Sequence, residues 1–107
     1  MRHLRPAELQ AWLDDPQRDK PMLLDVRESW EFERCHIAGS QLIPMRTIPA
    51  RHVELDRAQP VVVICHHGGR SMQVGMFLEA QGFHDVINLS GGVAEWARSV
   101  DPTMPTY

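Results

Sequence analysis

An α/β domain with a mostly parallel sheet is what this chain of 107 residues predicts, and three observations carry that expectation. Short apolar runs of strand length alternate with segments of helical periodicity, the pattern that feeds parallel strands through crossover helices. One run, Val61-Val62-Val63-Ile64, is β-branched throughout with no polar alternation, as a central strand covered on both faces would be. Directly after it come Cys65-His66-His67-Gly68-Gly69-Arg70-Ser71, a tight glycine turn leading into a segment of helical character. Four or five strands with helices on both faces, forming one domain over residues 1–107 around a single core, fit this length.

In chain order, Pro6 can open a helix that runs to about Asp14, with Leu9, Trp12 and Leu13 on one face; Arg5 is a poor cap for it. The stretch from Asp15-Pro16 to Lys20-Pro21 is polar and turn-rich, and Met22 to Val26 then reads as a short buried strand that Asp25 interrupts near its end. Residues 29–34 allow one helical turn, Gln41 to Pro44 a short strand, and Thr47 to Asp56 a helix with Pro49 in its first turn. From Arg70 to Gln81, Met72, Met76, Phe77 and Ala80 repeat at helical spacing, and Gly82 stands where a left-handed helix end belongs. Asp85 to Leu89 reads as another strand and Ser90-Gly91-Gly92 as a turn. Val93, Trp96, Ala97 and Val100 then form one apolar helix face. The residues beyond, with Pro102 and Pro105, are expected to be irregular.

The formal charge of −3, with acids and bases interspersed, leaves no basic footprint for nucleic acid or an anionic membrane. No apolar run approaches the ~20 residues a membrane helix needs, and the first residues lack the apolar core of a secretory signal, so a cytoplasmic location is expected. Two cysteines, Cys35 and Cys65, make no disulfide framework for a domain this size, which points to reactivity for at least one.

That one is Cys65, at the end of the central strand, where ligands sit in open α/β sheets. A loop that curls before a helix start turns several N–H groups toward one spot, and here that spot lies beside the cysteine sulfur. Such surroundings, with Arg70 nearby, push a thiol toward the nucleophilic thiolate; a free cysteine near pKa ~8.5 can be brought to roughly 3.5–7.5. A metal site built from Cys65, His66 and His67 is disfavoured, because neighbouring side chains on a tight loop diverge and the usual ligand spacing is absent.

The loop resembles the active-site loop of the rhodanese-like sulfurtransferases, in which a cysteine and an arginine bracket four residues. Two more stretches agree: Leu24-Asp25-Val26-Arg27-Glu28 with Glu31-Phe32 and His36-Ile37-Ala38-Gly39-Ser40, and Asn88-Leu89-Ser90-Gly91-Gly92-Val93 with Trp96. The resemblance implies a three-layer α/β domain and a two-step reaction through a persulfide on Cys65. A sulfane sulfur would pass from thiosulfate or a persulfide donor to Cys65 and on to cyanide or a thiol. The partners it implies are small-molecule donors and acceptors, or a protein persulfide donor or acceptor; it implies no cofactor, metal, nucleic acid or membrane. The related phosphatases and arsenate reductases use a loop one residue longer, so spacing favours a single sulfur atom over a tetrahedral oxyanion. The Arg70-Ser71 ending differs from that of mercaptopyruvate sulfurtransferases and favours thiosulfate-like or persulfide donors. A carrier module without small-molecule turnover is the alternative.

The candidate site is therefore Cys65 as nucleophile, with His66, His67, Gly68, Gly69 and Arg70 as the substrate-binding loop and Asp25, Arg27 and Ser71 as its support. Arg70 is read mainly as a loop brace, with an anion contact open. His66 and His67 line the pocket mouth, either as proton donors or as solvated rings. Asp25 and Arg27, at the end of a central strand, need partners to tolerate burial. Glu28, Glu31 and Glu33 read as a solvated acidic face, and Trp96 as core. Cys35 stands where the family usually has glycine, which leaves two expectations: strain, if that glycine has positive φ, and a resolving thiol for a Cys65 persulfide.

Overall fold

The structure is a computed structural model that describes Met1–Tyr107. Five strands form one sheet in the order β1-β5-β4-β2-β3: β1 Arg2–Leu4, β2 Met22–Asp25, β3 Gln41–Leu42, β4 Val61–Ile64 and β5 Val86–Leu89. Every pairing is parallel, with Leu23 opposite Val62 and Val62 opposite Ile87 at the centre. All four β4 residues are buried, as the unbroken β-branched run requires of a strand covered on both faces.

Five helices cover the sheet: α1 Pro6–Asp14, α2 Ser29–Arg34, α3 Ile48–Arg51, α4 Gly69–Ala80 and α5 Gly92–Ser99. Alternation along β4 divides the core. Val62 and Ile64 point into a cluster with Leu9 and Trp12 of α1 and Val93, Trp96 and Ala97 of α5. Val61 and Val63 face a second cluster with Ile48 of α3 and Val74 and Leu78 of α4. Each fully buried Val, Leu or Ile in these layers contributes about 1.5–3 kcal/mol relative to exposure.

The helices α1, α4 and α5 fall within a residue of where periodicity placed them, and α2 spans the residues that allowed one helical turn. Arg5 brings no capping side chain, and Glu8 compensates by accepting the Arg5 N–H at 2.9 Å. Gly82 takes φ +91° past the end of α4, the left-handed position assigned to it. Three readings change. β1 went unseen because three residues with little burial carry no periodic signal; pairing with β5 creates it. The expected strand to Pro44 is regular only over Gln41–Leu42: Ile43 and Met45 still donate to the Asp25 and Val26 carbonyls at 2.9 Å, but Pro44 between them has no N–H to extend the ladder. The helix expected over 47–56 is α3 flanked by 3₁₀ turns at Met45–Thr47 and His52–Glu54. Ile48, His52 and Leu55 keep helical spacing inward while the hydrogen bonding tightens at both ends.

Candidate active site

The carboxyl ends of β2, β4 and β5 meet at one edge, and Cys65 follows β4 there. Gly68 adopts φ +108°, a backbone turn that a side chain would strain, and it reverses the loop so that α4 begins at once. The reversal brings the Gly68 N–H to 3.0 Å from the Cys65 sulfur. The next N–H groups open α4 and have no carbonyl of their own helix to bond, which leaves them as donors at the start of the helix. Cys65 is 1% exposed. Behind it the thiol donates to Ser71 Oγ at 3.3 Å, while Ser71, fully buried, bonds the Gly68 carbonyl at 3.1 Å and the Asn88 side-chain oxygen on β5. A hydroxyl carries one hydrogen, so Ser71 can accept from the thiol or turn its own hydrogen toward the ionised sulfur.

A second junction holds the loop from the other side. Gly91 and Gly92, both with positive φ, start α5, whose Val93 and Ala94 N–H groups donate to the carbonyls of Cys65 and His66 at 2.9 and 3.1 Å. A Cβ on Gly92 would sit 2.3 Å from the Cys65 oxygen, so the close approach demands glycine there. His66 is partly buried and His67 exposed. His67 borders an open groove of about 630 Å³ between the starts of α1 and α5. Burial pulls the His66 pKa down, and the charge on neighbouring His67 adds to that.

On the β2 side, Asp25 and Arg27 are wholly buried and form a bidentate pair, with Arg27 Nη2 at 2.7 Å and Nε at 2.9 Å from the carboxylate. The guanidinium also donates to the Cys35 carbonyl at 2.6 Å. Burial opposes the Arg27 charge, yet the bonds to Asp25 and Tyr107 outweigh it and keep its pKa above the ordinary value. The requirement that both groups find partners is met by each other.

Arg70 folds back onto Glu31 of α2, with two parallel bonds of 2.7 and 2.8 Å. Glu31 is 4% exposed, which overturns its reading as part of a solvated face: Glu28 and Glu33 lie toward solvent, and Glu31 turns inward to meet Arg70. Arg70 bonding holds the Glu31 pKa down to about 2, against the opposing effect of burial and with help from the Glu28 N–H and Tyr107. The Glu31 bonds in turn raise the Arg70 pKa, and the negative charge of a Cys65 thiolate adds to the rise. Arg70 is thus braced by a partner and still within the field of the Cys65 sulfur.

Cys35 has φ −166° and ψ 147°, extended backbone that any residue adopts, so the expected strain does not arise. Both cysteines are free thiols, and they belong to opposite faces of the sheet: Cys35 to the α1/α5 cluster and Cys65 to the α3/α4 cluster. That separation removes Cys35 as a resolving thiol. Three residues that the sequence did not place among the site residues border it: Glu31, read there as solvated surface, Asn88, quoted there only within a motif, and Tyr107. A polar Asn88 within the otherwise apolar strand Val86–Leu89 was a visible signal for one of them. No group of three or more His, Cys, Asp or Glu side chains is arranged to hold a metal ion, and no helix is long and apolar enough to cross a membrane.

A buried cysteine at the end of the central parallel strand, with the Gly68 N–H at 3.0 Å from its sulfur just before α4, defines an α/β domain with a thiol at the carboxyl edge of its sheet. The rhodanese-like domain family matches residues 5–99, and the chain belongs to that family. It is 36% identical over its whole length to rhodanese-like/PpiC domain-containing protein 12, chloroplastic, of Arabidopsis thaliana, of which it spans 38%. It is 33% identical to the thiosulfate sulfurtransferase GlpE of Coxiella burnetii, over 90% of this chain and 89% of that one. A crystal structure from Staphylococcus saprophyticus superposes with a TM-score of 0.84 at 30% identity, covering 94% of this chain and 97% of the other. The chain spans less than half the length of several curated relatives it matches.

Proposed function

We propose that the chain is a sulfurtransferase whose nucleophile is Cys65 and whose donor is thiosulfate or a persulfide. The observation that carries this is the Gly68 N–H at 3.0 Å from the Cys65 sulfur, at the opening of α4. In the first step the Cys65 thiolate attacks the outer sulfur of thiosulfate; a sulfur–sulfur bond forms, the donor's own sulfur–sulfur bond breaks, and sulfite leaves with the bonding pair. In the second, cyanide or a thiolate attacks the terminal persulfide sulfur and Cys65 departs as thiolate. Dividing the transfer into two displacements is covalent catalysis, and the loop donors stabilise the negative charge on the outer sulfur. Arg70, braced by Glu31, favours an anionic donor. His66 and His67 border the approach, Gly69 belongs to the loop with Gly68 and Arg70, and Ser71, Asp25 and Arg27 support it. The same activity in the similar Coxiella protein agrees with this reading.

Incubation with thiosulfate should add the mass of one sulfur atom to the intact protein; cyanide should remove it, and Cys65→Ser should prevent it. Loss of the gain in wild-type protein with both thiosulfate and a persulfide donor refutes the reading. A persulfide carrier is the second reading, favoured by the 1% exposure of Cys65, which a docked protein partner would have to open. Loading from a persulfide donor but not from thiosulfate selects it. The four-residue loop argues against phosphate-ester hydrolysis, and turnover of an aryl phosphate without sulfur transfer would reverse that judgement.

A further inference from the structure

The segment after α5 returns across the mouth of the site. Its Tyr107 hydroxyl donates to Glu31 Oε2 at 2.8 Å and accepts from Arg27 Nη1 at 2.8 Å. Its ring stacks on His66, centroids 3.9 Å apart and planes 13° from parallel, and meets Trp30 edge-on at 5.6 Å. A cavity of about 100 Å³ lies beneath, bordered by Tyr107, His66 and Cys35 among others. Tyr107 therefore joins two ion pairs into one polar chain, Asp25–Arg27–Tyr107–Glu31–Arg70, from the end of β2 to the start of α4. Each Glu31 oxygen has two donors: Oε1 those of Arg70 and the Glu28 N–H, Oε2 those of Arg70 and Tyr107. The fourth donor is the only one that comes from beyond residue 70.

We propose that Tyr107 is a positioning residue for the transfer site: it fixes Arg70, the last residue of the Cys65 loop, by way of Glu31, and it fixes the His66 ring at the mouth by stacking. The inference rests on the sulfur-transfer reading for its consequence in turnover, and on geometry alone for its consequence at Cys65. A guanidinium held by a fully bonded carboxylate presents its charge to an incoming anion at one place; with the hydroxyl gone, Glu31 has a free lone pair and the pair can swing toward solvent. Stacking also shields His66, the burial of which lowers its pKa; the charges that face it are those of His67, Glu31, Arg27 and Arg70.

The test compares alkylation of Cys65 by iodoacetate and by neutral iodoacetamide, read by peptide mass so that Cys35 is counted separately. The ratio reports anion attraction and needs no sulfur turnover, so it stands whether or not thiosulfate loads the protein. Tyr107→Phe, which keeps the ring, should lower the iodoacetate-to-iodoacetamide ratio by about threefold to tenfold. Where thiosulfate turns over, the same variant should raise its KM by a similar factor with kcat within about twofold. In a Glu31→Gln background, Tyr107→Phe should add no further loss, because the hydroxyl acts through that carboxylate. Tyr107→Ala should in addition return the His66 ring titration, followed by NMR, toward its ordinary value, while Tyr107→Phe leaves it in place. An unchanged alkylation ratio in Tyr107→Phe, or a loss that adds in full to that of Glu31→Gln, overturns the Arg70 half. An unchanged His66 titration in folded Tyr107→Ala overturns the stacking half; if that variant does not fold, Tyr107→Leu, which keeps bulk without a ring plane, is read the same way.

Discussion

Two junctions in this molecule share one local plan and spend it differently. After β4 the chain turns through a left-handed Gly68 into α4; after β5 it turns through a left-handed Gly91 into α5. In both, the glycine reverses the chain so that the first N–H groups of the helix point back toward the strand ends. At the first junction the N–H of the turning glycine itself, Gly68, meets a sulfur. At the second, Val93 and Ala94 give theirs to the carbonyls of Cys65 and His66. The second junction thus consumes its donors to hold the first in shape, and the first aims one of its own at the Cys65 sulfur. A reactive loop and its scaffold differ here in what the amides bond, with the same backbone device underneath.

The sharpest way to break that comparison is to place a methyl group at each junction. Gly92→Ala puts a Cβ 2.3 Å from the Cys65 oxygen and 2.5 Å from that of His66, at φ +59°. The strained backbone and the overlap together should cost about 3 kcal/mol or more and abolish sulfur loading of Cys65, measured by denaturant unfolding and intact mass. Asp25→Ala removes the partner of a fully buried guanidinium and should cost about 3–5 kcal/mol in the same unfolding measurement. A next test is acid. The Glu31 pKa is near 2 in the fold against an ordinary 4.5, so its stabilising effect is complete above about 4.5 and is lost as pH falls through 4.5 toward 2. Allowing for solvent at the 36%-exposed Arg70, the loss should be about 2 kcal/mol, and Glu31→Gln should flatten that part of the stability curve. Smallest of all is Gly69→Ala, at ordinary φ with nothing within 4 Å of the new Cβ: stability should change by less than about 1 kcal/mol, and sulfur loading should survive.

How much of this was legible in residues alone depends on the range of the interaction that makes each part. Val61–Ile64, the loop from Cys65 to Arg70 and the helix faces of α1, α4 and α5 are local patterns, and all could be read. Asp25 and Arg27 were legible as a pair in need of burial partners, being two residues apart at a strand end. Glu31 was not, because its partner Arg70 lies 39 residues away and an acidic neighbourhood looks like solvent-facing surface from one side. Tyr107 was still further out of reach: its partners Arg27 and Glu31 lie 80 and 76 residues earlier, and nothing about one tyrosine in an irregular stretch announces them. β1 was invisible for a related reason, since three residues acquire strand character only from β5, more than eighty positions on.

The placement of the two thiols on opposite faces of the sheet carries a redox consequence. With Cys35 in the α1/α5 cluster and Cys65 in the α3/α4 cluster, Cys65 has no second cysteine beside it with which to close a disulfide. On the sulfur-transfer reading, a sulfur-bearing Cys65 would be discharged by an acceptor brought from outside, so the lifetime of that form would be set by encounter with the acceptor and not by the protein's own second thiol.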